Sequence, residues 1–222
     1  MTTTANRIGE TRRERQRREL VDELCAEASR QLAAGGAASI SWRGLARAVG
    51  MSPASLYTYF DGLDSLFTEL IVRNFAALAD ATRAGVDRYD DPGDQLLGGI
   101  HAYRRWALAH PAEFNLVFTD QLPGFAAEPE GPTVAAQTAI FQPLIEVLRT
   151  IDGMELDAPS QIATSPILGV WGVFHGLVSL EVNHHLDWLD GGVPFDRQVR
   201  WALAAASLPA APSDVAAAFA VT

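Results

Sequence analysis

The sequence predicts an all-α chain, and three observations lead there. Alanine, leucine and arginine are plentiful, while long β-branched runs are few. Apolar residues return every three or four positions in stretch after stretch. Glycine and proline punctuate the ends of those stretches. At 222 residues there is room for one large domain, or for a small and a medium one, with a full core.

Residues 1–11 are mostly small and polar and predict a disordered arm. A first helix follows from residue 12 to about Ala34, with Leu20, Leu24, Ala28 and Leu32 as its inward stripe and Gly35-Gly36 as its stop. The next stretch, ISWRGLARAVGMSPASLYTYF at 40–60, reads as two short helices joined by a tight turn. Ser41 caps the first, about 42–49, whose apolar face is Trp42, Leu45, Ala46 and Val49. Gly50 closes it, since glycine takes the left-handed conformation most easily. Ala46 and Gly50 are small where two crossing helices would touch, and Leu56 is the apolar pin between them. Ser52 caps the second helix, with Pro53 in its first position, where a missing N–H costs nothing. Leu56 and Phe60 form its buried side. Pro53, Ala54 and Ser55, then Tyr57, Thr58 and Tyr59, remain outside: small or uncharged groups suited to base edges, thymine methyls and phosphates. A plain helical hairpin would explain the helices, but not the coincidence of cap, glycine, cap and proline.

The net charge of −10 argues against nucleic acid until its distribution is considered. Residues 1–60 carry nine arginines against six acids, and residues 61–222 carry eight against twenty-one. A basic end on an acidic body is expected of a DNA-binding head with a separate second task. Lysine is absent, so every phosphate-binding cation must be arginine. The run RRERQRR at 12–18 would be a solvated face anywhere else; just ahead of a DNA-reading unit it predicts phosphate contacts or a minor-groove arm.

Beyond Phe60, Asp61 and Asp64 have the spacing of a cap and its third position. The helix they open, about 62–85, is long enough to touch the head at one end and a second domain at the other. Residues 86–93 form a loop, followed by helices at about 94–109 and 112–119, a Pro/Gly loop at 120–132, and a helix at about 133–151. A loop at 152–160 leads to a helix at about 161–186, then a last helix at about 195–207 and a frayed or weakly helical alanine-rich end. Ala158 to Leu180 carries no charge, but its prolines, glycines and hydroxyls favour a buried or interfacial helix over a membrane span. Nothing at the N-terminus suggests export.

Residues 10–75 resemble the DNA-binding domain of the tetracycline-repressor (TetR) family of bacterial regulators. The motif is Leu45-Ala46, Gly50-Met51-Ser52, Leu56-Tyr57-Thr58-Tyr59-Phe60 and Leu66. The resemblance implies operator contacts from Arg43, Ser55, Tyr57 and Tyr59, to which the exposed Ser52, Pro53, Ala54 and Thr58 are added. One departure is Leu63, where the family usually has a phosphate-holding lysine. Trp171, His175-Gly176 and Leu180-Glu181 further resemble a C-terminal domain of the Trp/His-Gly type in the same family. That implies a homodimer through the last two long helices, two reading helices about one DNA turn apart, and a palindromic operator. The expected domains are 12–73 for the helix-turn-helix head and 74–222 for ligand binding and dimerisation, with the boundary inside the long helix.

Enzyme and metal chemistry find little support. Cys25 is alone and reads as a core residue, which excludes an internal disulfide. Glu181 and His184 have a di-iron spacing, but no second Glu-x-x-His exists, and His175 lies far round the helix from Glu181. Nucleophile elbow, phosphate loop and dinucleotide fingerprint are missing, so neither cofactor nor metal is expected. Tyr103, Trp106, Phe114, Phe118, Phe141 and Trp171, with His175 as an orienting polar group, either make a packed core or line a cavity for a small apolar or aromatic effector. The expected function is that of a cytoplasmic, ligand-responsive repressor of double-stranded DNA. An all-helical enzyme or a protein-interaction module is the alternative.

Overall fold

Two helices of equal length organise the molecule, and each is explained by how it begins. The computed structural model describes residues 11–119, 125, 128, 130–151, 165–189 and 194–219. Among them are ten α-helices and no strand; the arm at 1–10 and most of the loops at 120–132 and 152–160 lie outside the described residues. Helix α1, Arg12–Gly35, starts at a reciprocal cap. The Thr11 hydroxyl accepts from the Glu14 N–H at 3.2 Å, and the Glu14 carboxylate accepts from the Thr11 N–H at 2.7 Å. Its inward residues are Leu24, Cys25, Ala28 and Leu32.

Helix α4, Leu63–Val86, begins without a side-chain cap. The residue ahead of it is Gly62 with φ 157°, so Asp61 lies one position too early to cap and remains exposed. The spacing of Asp61 and Asp64 is thus misleading. Leu63 is half-buried against the core, and Leu66, Phe67, Leu70, Ile71, Phe75 and Leu78 carry the buried stripe onward. Between α1 and α4 stand α2, Trp42–Ala48, and α3, Pro53–Leu56.

Helix α5, Pro92–Ala109, begins two residues earlier than its apolar pattern suggests, because Asp91 accepts from the N–H groups of Gly93 and Asp94 at 2.9 and 3.1 Å. It lies against the C-terminal half of α4 with the two backbones touching. A Cβ on Gly85 would overlap the Gly98 carbonyl oxygen, and one on Gly98 would meet the Gly85 oxygen at 2.7 Å. Helix α6, Pro111–Phe118, follows directly.

The expected single helix at 133–151 is two, α7 at Pro132–Ala139 and α8 at Gln142–Leu148. Pro143 has no N–H for the Ala139 carbonyl, and the chain kinks there. Helix α9 spans Pro166–Val182. It stops four residues short of the expected Leu186 because His184 turns left-handed (φ 59°), letting the His185 N–H donate to the Leu180 carbonyl at 2.9 Å. Helix α10, Phe195–Ala205, closes the bundle beside α9. The alanine-rich end is docked and not frayed through Phe219. Arg200 donates to the carbonyls of Ala211 and Ser213, Ser213 donates its N–H to Asp94, and a 3₁₀ turn at Val215–Phe219 buries both its end residues.

Candidate nucleic-acid interface and the aromatic cluster behind it

Ser41 accepts from the Gly44 N–H at 3.1 Å and so opens α2. At its far end Gly50 takes φ 69°, and the Met51 N–H reaches back to the Ala46 carbonyl at 2.8 Å. A Cβ on Gly50 would meet nothing within 4 Å, so this glycine serves the turn's conformation alone; the close approach of the helices belongs to Ala46 and Leu56, both about 1% exposed. Ser52 then accepts from the Ser55 N–H at 3.1 Å, with Pro53 in the first turn.

The reading segment is one α-turn continued by a tighter one. The Thr58 and Tyr59 N–H groups donate to the carbonyls three residues back, of Ser55 and Leu56, at 3.2 and 2.9 Å. The expected helix to Phe60 is therefore α-helical only to Leu56, and the tightening brings Tyr57, Thr58 and Tyr59 round faster than an α-helix would. Tyr57 is 59% exposed and rests its ring on Trp42, centroids 5.0 Å apart, while the Trp42 indole donates to the Pro53 carbonyl at 3.0 Å. Arg43, Ser52, Pro53, Ala54 and Thr58 are exposed. Ser55 is half-buried with its hydroxyl 2.7 Å from that of Ser52. Tyr59 is half-buried under the Arg17 guanidinium, 5.6 Å from the ring centroid.

Arg17 and Trp42 are functional supports that sequence reading assigned elsewhere. Arg17 was one of a run expected to meet phosphate; it donates to the Thr58 carbonyl at 2.9 Å, fixing the exit of the reading segment to α1. Trp42 was read as a core residue, and it is half-buried with its N–H holding α3. Only the folded chain brings Arg17 to a partner forty-one positions away in sequence.

Behind the head, α5, α6 and α9 bring four of the expected rings together around His175, and Phe141, at the start of α8, joins them through Trp171. The Tyr103 hydroxyl lies 2.8 Å from His175 Nδ1. Trp171 stacks on the imidazole at 4.5 Å, Phe118 meets it edge-on at 4.6 Å, Phe114 tilts against it at 5.6 Å, and Phe141 reaches Trp171 at 5.4 Å. Burial pushes the His175 pKa down and the Tyr103 phenol up. With both groups uncharged, this is a hydrogen bond between a neutral imidazole and a protonated phenol, its direction set by the imidazole tautomer. The buried Trp171 indole nitrogen has no hydrogen-bond partner: the Tyr103 hydroxyl is its polar neighbour, without meeting bonding geometry.

Trp106 is set apart from this cluster. It packs on His110, centroids 5.1 Å apart, and lines a cleft of about 340 Å³ on the outer face of α4 and α5 with Arg88, Arg105 and Phe219. A larger cleft, about 600 Å³, lies where the start of α4 faces Phe125, Pro132 and Thr133. The motif residue Glu181 is taken by Arg104 through two hydrogen bonds of 2.7 and 2.6 Å, while His184 is exposed beside Asp187. Among the described residues, no three His, Cys, Asp or Glu side chains gather closely enough to hold a metal ion. No helix of the described residues is long and apolar enough to cross a membrane.

Comparison with known proteins agrees with this geometry. The family profile for bacterial regulatory proteins of the tetR family matches residues 24–70, and that for the tetracyclin repressor-like C-terminal domain matches residues 96–208. The HTH-type transcriptional regulator Rv1816 of Mycobacterium tuberculosis is 31% identical over 216 residues, covering 84% of this chain and 92% of the relative; Mb1846 of Mycobacterium bovis matches to the same extent. The solved structure of the protein SCO4313 superposes with a TM-score of 0.72 at 29% identity, covering 87% of this chain and all of that one. A TetR family transcription regulator from Marinobacter aquaeolei shares the fold, with a TM-score of 0.60 at 20% identity over 86% of this chain and 97% of its own.

Proposed function

The chain belongs to the tetracycline-repressor family of helix-turn-helix transcriptional regulators, and from that premise we propose a cytoplasmic, homodimeric repressor that releases a palindromic operator when a small apolar or aromatic effector binds. The observation that carries the DNA half is the exposed Tyr57, held on Trp42 at the end of a capped turn beside the exposed Arg43. Arg43, Ser52, Pro53, Ala54, Ser55, Tyr57, Thr58 and Tyr59 make up the contact set, with arginine alone meeting phosphate and no cation at Leu63. Dimerisation is supported by the outer face of α9. A Cβ on Gly169, Gly172 or Gly176 meets nothing within 4 Å in this chain, and Leu168, Val173 and Leu180 beside them are exposed.

The effector half rests on the His175 cluster. An apolar molecule displacing part of the Phe118, Phe141 and Trp171 packing would find one free donor, the Trp171 indole N–H. Effector binding that favours a tilted α4 would alter the separation of the two reading segments and lower operator affinity. Arg73 pairs with Asp22 of α1 at 2.8 Å and with Glu69 at 2.7 Å, which supports a head at 12–73 and a body at 74–222.

Selection of bound fragments from random duplex DNA is the test. An inverted repeat is expected; fragments without one would refute the two-fold arrangement. On the selected site, Arg43→Ala and Tyr57→Phe should each weaken binding by about 1–3 kcal/mol without unfolding the protein. Wild-type affinity in both variants would remove the contact assignment.

A further inference from the structure

We propose that the outer cleft between α4 and α5 is a second binding site, for an organic anion: a carboxylate on a flat or aliphatic apolar body. The floor is made of Ala81, Ala84 and Gly85 of α4 and Ala102 and Ala109 of α5, side chains too small to fill the space above them. Trp106, His110 and Phe219 bring rings to its lining. At about 340 Å³ the cleft is at the small end of the usual range for ligand pockets.

The charge of the occupant follows from the arginines. Residues 61–222 hold twenty-one acids and only eight arginines, so a cation in the body has ample choice of carboxylates. Arg73, Arg83, Arg104 and Arg200 take that choice, pairing with Glu69, Glu146, Glu181 and Asp196. Arg88, just past the end of α4, and Arg105 of α5 do not: among the described residues no carboxylate pairs with either. Both instead lay their guanidinium groups over the one Phe219 ring, at 5.1 and 5.4 Å from its centroid. Neither guanidinium donates a hydrogen bond to another described residue, so their N–H donors are available to a carboxylate, which guanidinium binds through paired hydrogen bonds. The docked chain end supplies the ring. Val215 and Phe219 are buried, and the stretch before them is tied to Arg200 and Asp94. This site is separate from the His175 cluster, and its existence does not depend on how the effector or the operator is bound.

The test is titration of the whole protein, without DNA, with 2-naphthoate and decanoate, read by calorimetry and by tryptophan fluorescence. Saturable binding of at least one is expected, with 2-naphthamide about tenfold weaker than naphthoate. Arg88→Gln with Arg105→Gln should weaken the anion by about tenfold or more, while the thermal midpoint and circular dichroism stay at wild-type values. Ala84→Leu fills the floor without touching charge and should abolish binding, and Trp106→Phe should remove the fluorescence response. Naphthoate and decanoate failing to bind up to millimolar concentration would overturn the proposal. So would anion affinity that survives both the double arginine variant and Ala84→Leu, or that is lost with Phe118→Ala instead, which would place the ligand in the His175 cluster.

Discussion

The reading segment and helix α9 hold their polar groups by opposite means. In the head each bond is short in sequence: Ser52 to Ser55 spans three positions and Trp42 to Pro53 eleven, with Arg17 the exception. Along α9, His175, Glu181 and Asn183 find partners 72, 77 and 68 positions away, in Tyr103, Arg104 and Asn115. The head is thus assembled from self-sufficient pieces that leave their working side chains in solvent. The body's polar groups exist as a set only once α5, α6 and α9 have packed, and their desolvation ties them to that packing. The proposed function needs both: a reader whose shape survives movement of the body, and a sensor that cannot change without repacking.

The largest expected difference comes from Phe114→Ala. This ring is fully buried against Tyr103, Phe118 and His175, and its removal should cost about 3–5 kcal/mol of stability in denaturant titration. Operator affinity of the protein that remains folded should be unchanged; equal loss of both would mean that head and body are not separable. Gly50→Ala should cost about 1–2 kcal/mol, purely from backbone conformation, because its Cβ would have room. A null result there would show that the turn relaxes. Gly172→Ala has the reverse logic. In the isolated chain it should stabilise α9 by about 0.5–1 kcal/mol, yet weaken association of two copies in sedimentation. Stabilisation with unchanged association would move the interface away from α9.

The gentlest test is by pH. Burial lowers the pKa of His175 and of His101, where Asp196 opposes it in part, below the usual 6.5. Both are held neutral in the fold while the unfolded chain gains protons as pH drops below 6.5. Their contribution is complete above that value and is lost as pH falls through the depressed folded values. Thermal melts should therefore show a midpoint falling below about pH 6.5, with a shallower fall in His175→Gln. An identical slope would mean that His175 is protonated in the fold.

The same contrast explains what could be read from the sequence. Caps, the left-handed Gly50 and Pro53 act within a few residues, so the head was legible almost to its side chains. Helix existence in the body was legible from periodicity, but not the break at Pro143, which a strong apolar run on both sides concealed, nor the stop at His184, where no glycine marks the left-handed turn. Trp106 shows the limit most clearly. Three residues turn a helix about 300°, so Trp106 lies only about 60° round from Tyr103, yet α5 is packed so closely on α4 that this suffices to carry the ring to the outer face. Composition reveals that rings are abundant; which side of a helix they serve is decided by its neighbours.

That close packing has a mechanical corollary. With Gly85 and Gly98 in backbone contact, α4 can rock over α5 at that point but has no slack to slide along it. Roughly 33 Å of helix, at about 1.5 Å per residue, separates Gly85 from Leu63. A rotation of about 5° at the glycines therefore swings the far end by about 3 Å, close to one base-pair rise of duplex DNA. On the proposed mechanism the two glycines would act as a fulcrum, with α4 the lever arm that magnifies a small repacking into a displacement the double helix can register.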